Sequence, residues 1–101
     1  MGKINDLCIK HHVFVVSDEI HSDIVYKGFR HIPFGSISQS AADNSIVCIN
    51  PSKTFNIAGF RTGAVIIPNR NNHDRFYSEL ENLKAFGRNI FGTLAVQTAY
   101  T

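Results

Sequence analysis

The chain has 101 residues, 44% of them hydrophobic and 18% charged, a globular composition rather than a disordered one. Its net charge of +2 with His neutral is too small to imply nucleic acid or a membrane surface as a partner. No apolar run approaches the ~20 residues of a membrane span, and the opening MGKINDLCIK lacks the apolar core and small-residue cleavage pattern of a signal peptide, so a soluble, cytoplasmic protein is expected.

Residues 4–12 read as the end of an amphipathic helix, with Ile4, Leu7 and Cys8 on one face. Val13-Phe14-Val15-Val16 is a continuous apolar run, the pattern of a strand buried on both faces. Ser22 to Phe34 reads as irregular, punctuated by Gly28 and Pro33. A short helix is expected over residues 37–43. Ile46-Val47-Cys48-Ile49 and Ala64-Val65-Ile66-Ile67 are further apolar strands, ended by Pro51 and Pro68. Cys8 and Cys48 read as free structural thiols of a reducing compartment. A helix follows from about Asn72 to Lys84, with Phe76, Tyr77, Leu80 and Leu83 at helical spacing, and Gly87 is expected to end it. Asn89-Ile90-Phe91-Gly92 restarts a helix that runs toward Tyr100. This alternation predicts an α/β fold with a largely parallel sheet. The chain opens inside a helix and closes inside an apolar helical run, so residues 1–101 are expected to be part of a larger domain. Ile4, Leu7, Phe91 and Leu94 are then expected to be exposed.

Each strand delivers a polar cluster at one end. Ser17-Asp18-Glu19-Ile20-His21 follows the first, Asn50-Pro51-Ser52-Lys53-Thr54-Phe55-Asn56 follows the second, and Gly59-Phe60-Arg61-Thr62-Gly63 precedes the third. In parallel α/β sheets the ligand crevice lies beyond the carboxyl ends of the strands. An antiparallel third strand would bring its start to that same edge. Taken singly, an Asp at a strand end is usually a turn former, and a lone Lys or Arg is usually solvated. The weight lies in the arrangement: Lys53 sits between a strand and a Gly-containing loop, among small polar residues that suit an anion site.

The run from Ser52 to Gly63, S-K-T-F-N-I-A-G-F-R-T-G, resembles the cofactor-lysine motif of class I and II aminotransferases: Ser-Lys, an aromatic, then Gly-x-Arg-x-Gly, with the Arg eight residues after the Lys. Asp18, 35 residues before Lys53, matches the family's strand-end Asp. His21 stands where most class I members have Tyr. With His31-Ile32-Pro33-Phe34 it makes the chain similar to the MalY/PatB-type cystathionine β-lyases. The resemblance implies a fragment of the fold-type-I large domain, a three-layer α/β/α unit with a mostly parallel sheet, binding pyridoxal 5'-phosphate.

The same resemblance implies a role for each matched residue. Lys53 would bond the cofactor aldehyde and, once freed, move the substrate Cα proton. Asp18 would pair with the pyridine nitrogen. Arg61 would clamp the phosphate, with the Ser52 hydroxyl added to it, and His21 would donate to the phenolic oxygen. The implied reaction is C–S β-elimination on an amino-acid substrate in a homodimeric parent protein. An aminotransferase on the same scaffold, or a non-catalytic truncated product, is the alternative. Asn50 departs from the family, many members of which carry a phosphate-binding Ser there. The family's upstream phosphate loop, its ring-stacking aromatic and its downstream substrate-carboxylate Arg find no match in these residues.

Overall fold

The computed structural model describes residues 1–84, 87 and 89–101. Helix α1 spans Gly2–Lys10, strand β1 Val15–Asp18, helix α2 Gln39–Asp43, strand β2 Ser45–Ile49, strand β3 Ala64–Ile66, helix α3 Arg70–Asn82 and helix α4 Ile90–Ala99. Two 3-10 turns, Phe34–Ser36 and Ala58–Phe60, lie in the connections. Side chains cap three helices. Ser38 Oγ accepts from the Ala41 N–H, Asn69 Oδ1 from Asn72 and Asn89 Oδ1 from Gly92, each at 3.1 Å. Each cap satisfies a donor that a first helical turn leaves without a partner.

The elements match the expected order, with shifted ends. β1 begins two residues later than the apolar run, because the Val13 N–H still donates to the Cys8 carbonyl at 2.8 Å in the turn that closes α1. It continues through the polar pair Ser17 and Asp18, which register with Val47 and Cys48. The Asn69 cap starts α3 at Arg70 rather than Asn72, and the helix ends at Asn82, before Gly87.

The sheet order is β1-β2-β3. β1 and β2 are parallel, with Val15 opposite Ser45 and Asp18 opposite Cys48. β3 is antiparallel to β2, with Ala64 opposite Ile49. The ends of β1 and β2 and the start of β3 therefore share one edge.

One face of the sheet is packed. Val47 and Ser45 are buried there, and Phe34 and Ala41 complete the core. A Cβ added at Gly35 would lie 3.4 Å from Val47 Cγ2, so the Phe34–Ser36 turn sits directly on β2. Asn5 of α1 reaches Ser40 Oγ at 3.1 Å and ties α1 to this layer. The other face departs from the expectation of strands buried on both sides, since Val16 is 65% exposed. Here α3 stands off from the sheet, leaving a hollow of about 550 Å³ lined by Phe14, Ile46, Asn72, Arg75 and Phe76. Polar Asn72 and Arg75 on the facing side of α3 leave it too little apolar surface to close on the strands. Ile4, Leu7, Phe91 and Leu94 are 53%, 57%, 73% and 59% exposed, as the sequence leads one to expect.

Candidate functional site

Each strand end is shaped by local hydrogen bonds. At the end of β1, Asp18 Oδ1 accepts from the Ile20 N–H at 3.3 Å, a turn-forming contact. Its register partner Cys48 lies on the less covered face of the sheet, and the two side chains project to that same side. Among the described residues no partner engages the other carboxylate oxygen. His21 lies in the turn that follows. Asp18 and His21 line one hollow of about 290 Å³, with Ser17, Glu19, Ser22 and His31.

At the end of β2, Asn50 Oδ1 accepts from the Ser52 N–H at 2.8 Å, which starts a tight turn through Pro51. The Phe55 N–H then donates to the Pro51 carbonyl at 2.9 Å and the Ile57 N–H to the Ser52 carbonyl at 3.1 Å. Asn50 thus builds the turn that presents Ser52 and Lys53. Pro51 is fully buried and anchors it, while Lys53 is exposed. No ion pair or hydrogen bond holds its ammonium among the described residues.

At the start of β3, Arg61 is exposed and takes a left-handed backbone conformation, φ 48°. Asn56, which closes the lysine turn, does the same at φ 55°. Non-glycine residues in this region are uncommon, and they concentrate at ligand sites where the surroundings hold them. Two contacts hold this loop. Asn89 Nδ2 of α4 donates to the Phe60 carbonyl at 2.8 Å. Gly63 passes so close to β2 that a Cβ there would meet Asn50 Nδ2 at 2.9 Å and the Ile49 carbonyl at 3.0 Å. The guanidinium of Arg61 has no partner among the described residues.

The sheet therefore brings Asp18, His21, Ser52, Lys53 and Arg61 to one edge. Asp18 and His21 share a hollow; Lys53 and Arg61 stand outside it, on the two loops that flank the β2–β3 end. An apolar groove of about 590 Å³ runs beside these loops, lined by Phe55, Ile57, Phe60, Phe91 and Leu94.

Two clusters at the same edge escaped the sequence reading. Glu19 is buried. Its Oε1 accepts from Ser17 Oγ at 2.9 Å and from the Phe34 N–H at 2.8 Å, and its Oε2 lies 2.7 Å from His31 Nε2. Burial alone would raise its pKa. The hydrogen bonds from His31, Phe34 and Ser17, with the charge of His31, outweigh burial and hold it below the ordinary 4.5. The second cluster centres on Asp23, whose Oδ2 accepts from Tyr100 at 3.1 Å and from Thr54 at 3.4 Å. The adjacent Asp-Glu pair was the one visible signal for the first cluster.

Comparison with known proteins gives this edge a context. The family profile "Aminotransferase class I and II" matches residues 1–100. Cystathionine beta-lyase PatB of Bacillus subtilis (strain 168) is 46% identical over 99 residues, 98% of this chain and 26% of that protein. Asparagine–oxo-acid transaminase of Streptococcus mutans serotype c (strain ATCC 700610 / UA159) is 35% identical over 63 residues, 62% of this chain and 16% of that protein. The crystal structure of cystalysin from Treponema denticola, which contains a pyridoxal 5'-phosphate cofactor, superposes with a TM-score of 0.79 at 37% identity, covering 97% of this chain and 24% of cystalysin. The fold is thus the α/β architecture of the fold-type-I pyridoxal-phosphate enzymes. The chain belongs to the class I and II aminotransferase family. It spans about a quarter of the length of the PatB protein that it matches.

Proposed function

We propose that residues 1–101 form part of the large domain of a pyridoxal-phosphate-dependent C–S β-lyase, which releases pyruvate, ammonia and a thiol from cystathionine or a related cysteine conjugate. The observation that supports this reading best is the shared sheet edge. It carries a carboxylate on β1, a lysine after β2 and an arginine before antiparallel β3, the last two without a partner among the described residues. These residues fit the cofactor: an anion site for its phosphate, an amine for its aldehyde and a carboxylate for its ring nitrogen.

When bound, the cofactor supplies an electron sink for the carbanion formed at the substrate Cα. The residues of the chain do the rest. Lys53 would hold the cofactor through its aldehyde and would take the substrate Cα proton, which leaves with the thiol. Asp18 keeps the pyridine nitrogen protonated. Arg61 offers the phosphate two parallel charge-assisted hydrogen bonds, with the Ser52 hydroxyl beside it, and His21 donates to the phenolic oxygen. The remainder of the enzyme, including a second subunit, covers the open sheet face and the exposed apolar residues of α1 and α4.

The test is made on the complete reading frame that contains these residues. The purified protein with added pyridoxal phosphate is assayed for pyruvate release from cystathionine and, separately, for amino transfer to 2-oxoglutarate. Pyruvate release that Lys53→Ala abolishes is the expected result. Transfer without release would establish the aminotransferase alternative. Neither activity, with no cofactor retained, would reject the reading.

A further inference from the structure

Glu19 has its backbone N–H, its carbonyl and both carboxylate oxygens engaged. Its N–H donates to the Cys48 carbonyl at 2.8 Å, adding one more bond to the β1–β2 ladder, and its carbonyl accepts from Ser22 at 3.0 Å. Its carboxylate holds Ser17 on the strand, the Phe34 N–H at the 3-10 turn and His31 between them. The carboxylate is 5% exposed, against 33% for the His31 ring. It stands between the two residues assigned to the ring. Asp18 precedes it and takes its carboxylate orientation from the Ile20 N–H. His21 lies inside the turn that the Glu19 carbonyl closes. Asp23 ties the far side of that turn to Thr54 and Tyr100, and the Glu19 carboxylate ties its near side to the other end of the irregular stretch, at His31 and Phe34, where a loop without regular ladders has little else to hold its register.

Resting on the cofactor reading above, we propose that Glu19, paired with His31, is a positioning residue. It fixes the Asp18 carboxylate and the His21 imidazole relative to each other, so that both meet the cofactor ring in one orientation. The geometry separates this role from simple bracing. A brace needs only the Phe34 and Ser17 contacts, which pin residues 34 and 17. The His31 contact sets an imidazole against the buried carboxylate, in the same hollow as Asp18 and His21. With Glu19 paired, Asp18 is the carboxylate of the hollow without an ion-pair partner among the described residues, and buried carboxylates persist in proteins when paired as Glu19 is.

The experiment uses the complete protein with pyridoxal phosphate as the probe. It reads cofactor affinity, the visible-region circular dichroism of bound cofactor at saturation, and the thermal midpoint. The visible dichroism reports how the bound ring is oriented, which a purely structural contact would not change. Glu19→Gln keeps the shape and removes the charge. It is expected to weaken cofactor binding about tenfold or more and to lower the saturated dichroism by about half. His31→Ala should do the same, and His31→Gln, whose amide N–H can still donate to the carboxylate, should restore both. Wild-type affinity and dichroism in Glu19→Gln would overturn the inference whatever the thermal midpoint does. If Glu19→Gln does not fold, wild-type values in His31→Ala would overturn it equally. A wild-type protein with no Lys53-dependent visible band would reject the cofactor reading itself, and the positioning role with it.

Discussion

The Tyr100 hydroxyl donates to Asp23 Oδ2 at 3.1 Å and joins the end of α4 to the loop after β1, across 77 residues of sequence. The same carboxylate oxygen takes the Thr54 hydroxyl, next to Lys53. Burial, then the hydrogen bond and charge of Asp23, push the phenol above its ordinary value of 10. The neutral phenol is thus the form that the fold favours. Its contribution to stability is present below pH 10 and is lost as pH rises through the raised value. Ultraviolet titration should show a tyrosine step above pH 10, and Tyr100→Phe should remove it. Because Tyr100 is about half exposed, the stability lost should be small, about 0.5 kcal/mol.

Acid should act on the opposite side of the ledger through Glu19. Its lowered pKa means that its contribution to stability is present above the ordinary 4.5 and disappears as pH falls through the lowered value. Urea unfolding at stepwise lower pH should show this loss in the wild type and a shallower one in Glu19→Gln. Equal acid slopes in the two proteins would mean that another group controls the transition.

Gly92 is buried at the start of α4. A Cβ there would collide with Thr62 Oγ1, come within 2.9 Å of Thr62 Cβ and lie 3.1 Å from the Phe60 carbonyl. Gly92→Ala should therefore push α4 off the loop that carries Arg61 and destabilise the complete protein by about 1–3 kcal/mol. Adding Thr62→Gly should recover part of that loss. A Gly92→Ala protein as stable as the wild type would show that α4 does not pack on this loop.

Residues 1–101 alone, given pyridoxal phosphate, should release pyruvate from cystathionine no faster than the free cofactor does. Lys53 can still react with the aldehyde, but the family's substrate-carboxylate Arg finds no match in this stretch. Orientation of that kind is worth up to roughly 7–11 kcal/mol of barrier, or many orders of magnitude at ~1.4 kcal/mol per tenfold. A rate well above free cofactor, lost in Lys53→Ala, would contradict this.

The parts of the site that could be read from sequence were those carried by short local patterns. Three apolar runs located the strands, and the spacing of Asp18, Lys53 and Arg61 could be counted along the chain. The antiparallel course of β3 could be posed only as a condition, because an apolar run has no direction. The extension of β1 through Ser17 and Asp18 was hidden, since pairing with Val47 and Cys48 leaves no mark on hydrophobic periodicity. The Glu19 cluster was hidden for a related reason. Its partners His31 and Phe34 lie 12 and 15 residues away, across a stretch with no repeating pattern, and only folding brings them together. Asn50 looked like a departure from a phosphate-binding position, whereas the structure gives it a different task at the start of the lysine turn.

With β2 in the middle of the sheet, β1 and β3 each present an outer backbone edge. Further strands can join only there, sideways, by pairing with those edges. Asp18, Lys53 and Arg61 sit at the ends of the strands, at right angles to that direction. The width of the sheet and the make-up of this end therefore rest on different residues: a strand added at either outer edge would leave these three positions in their places.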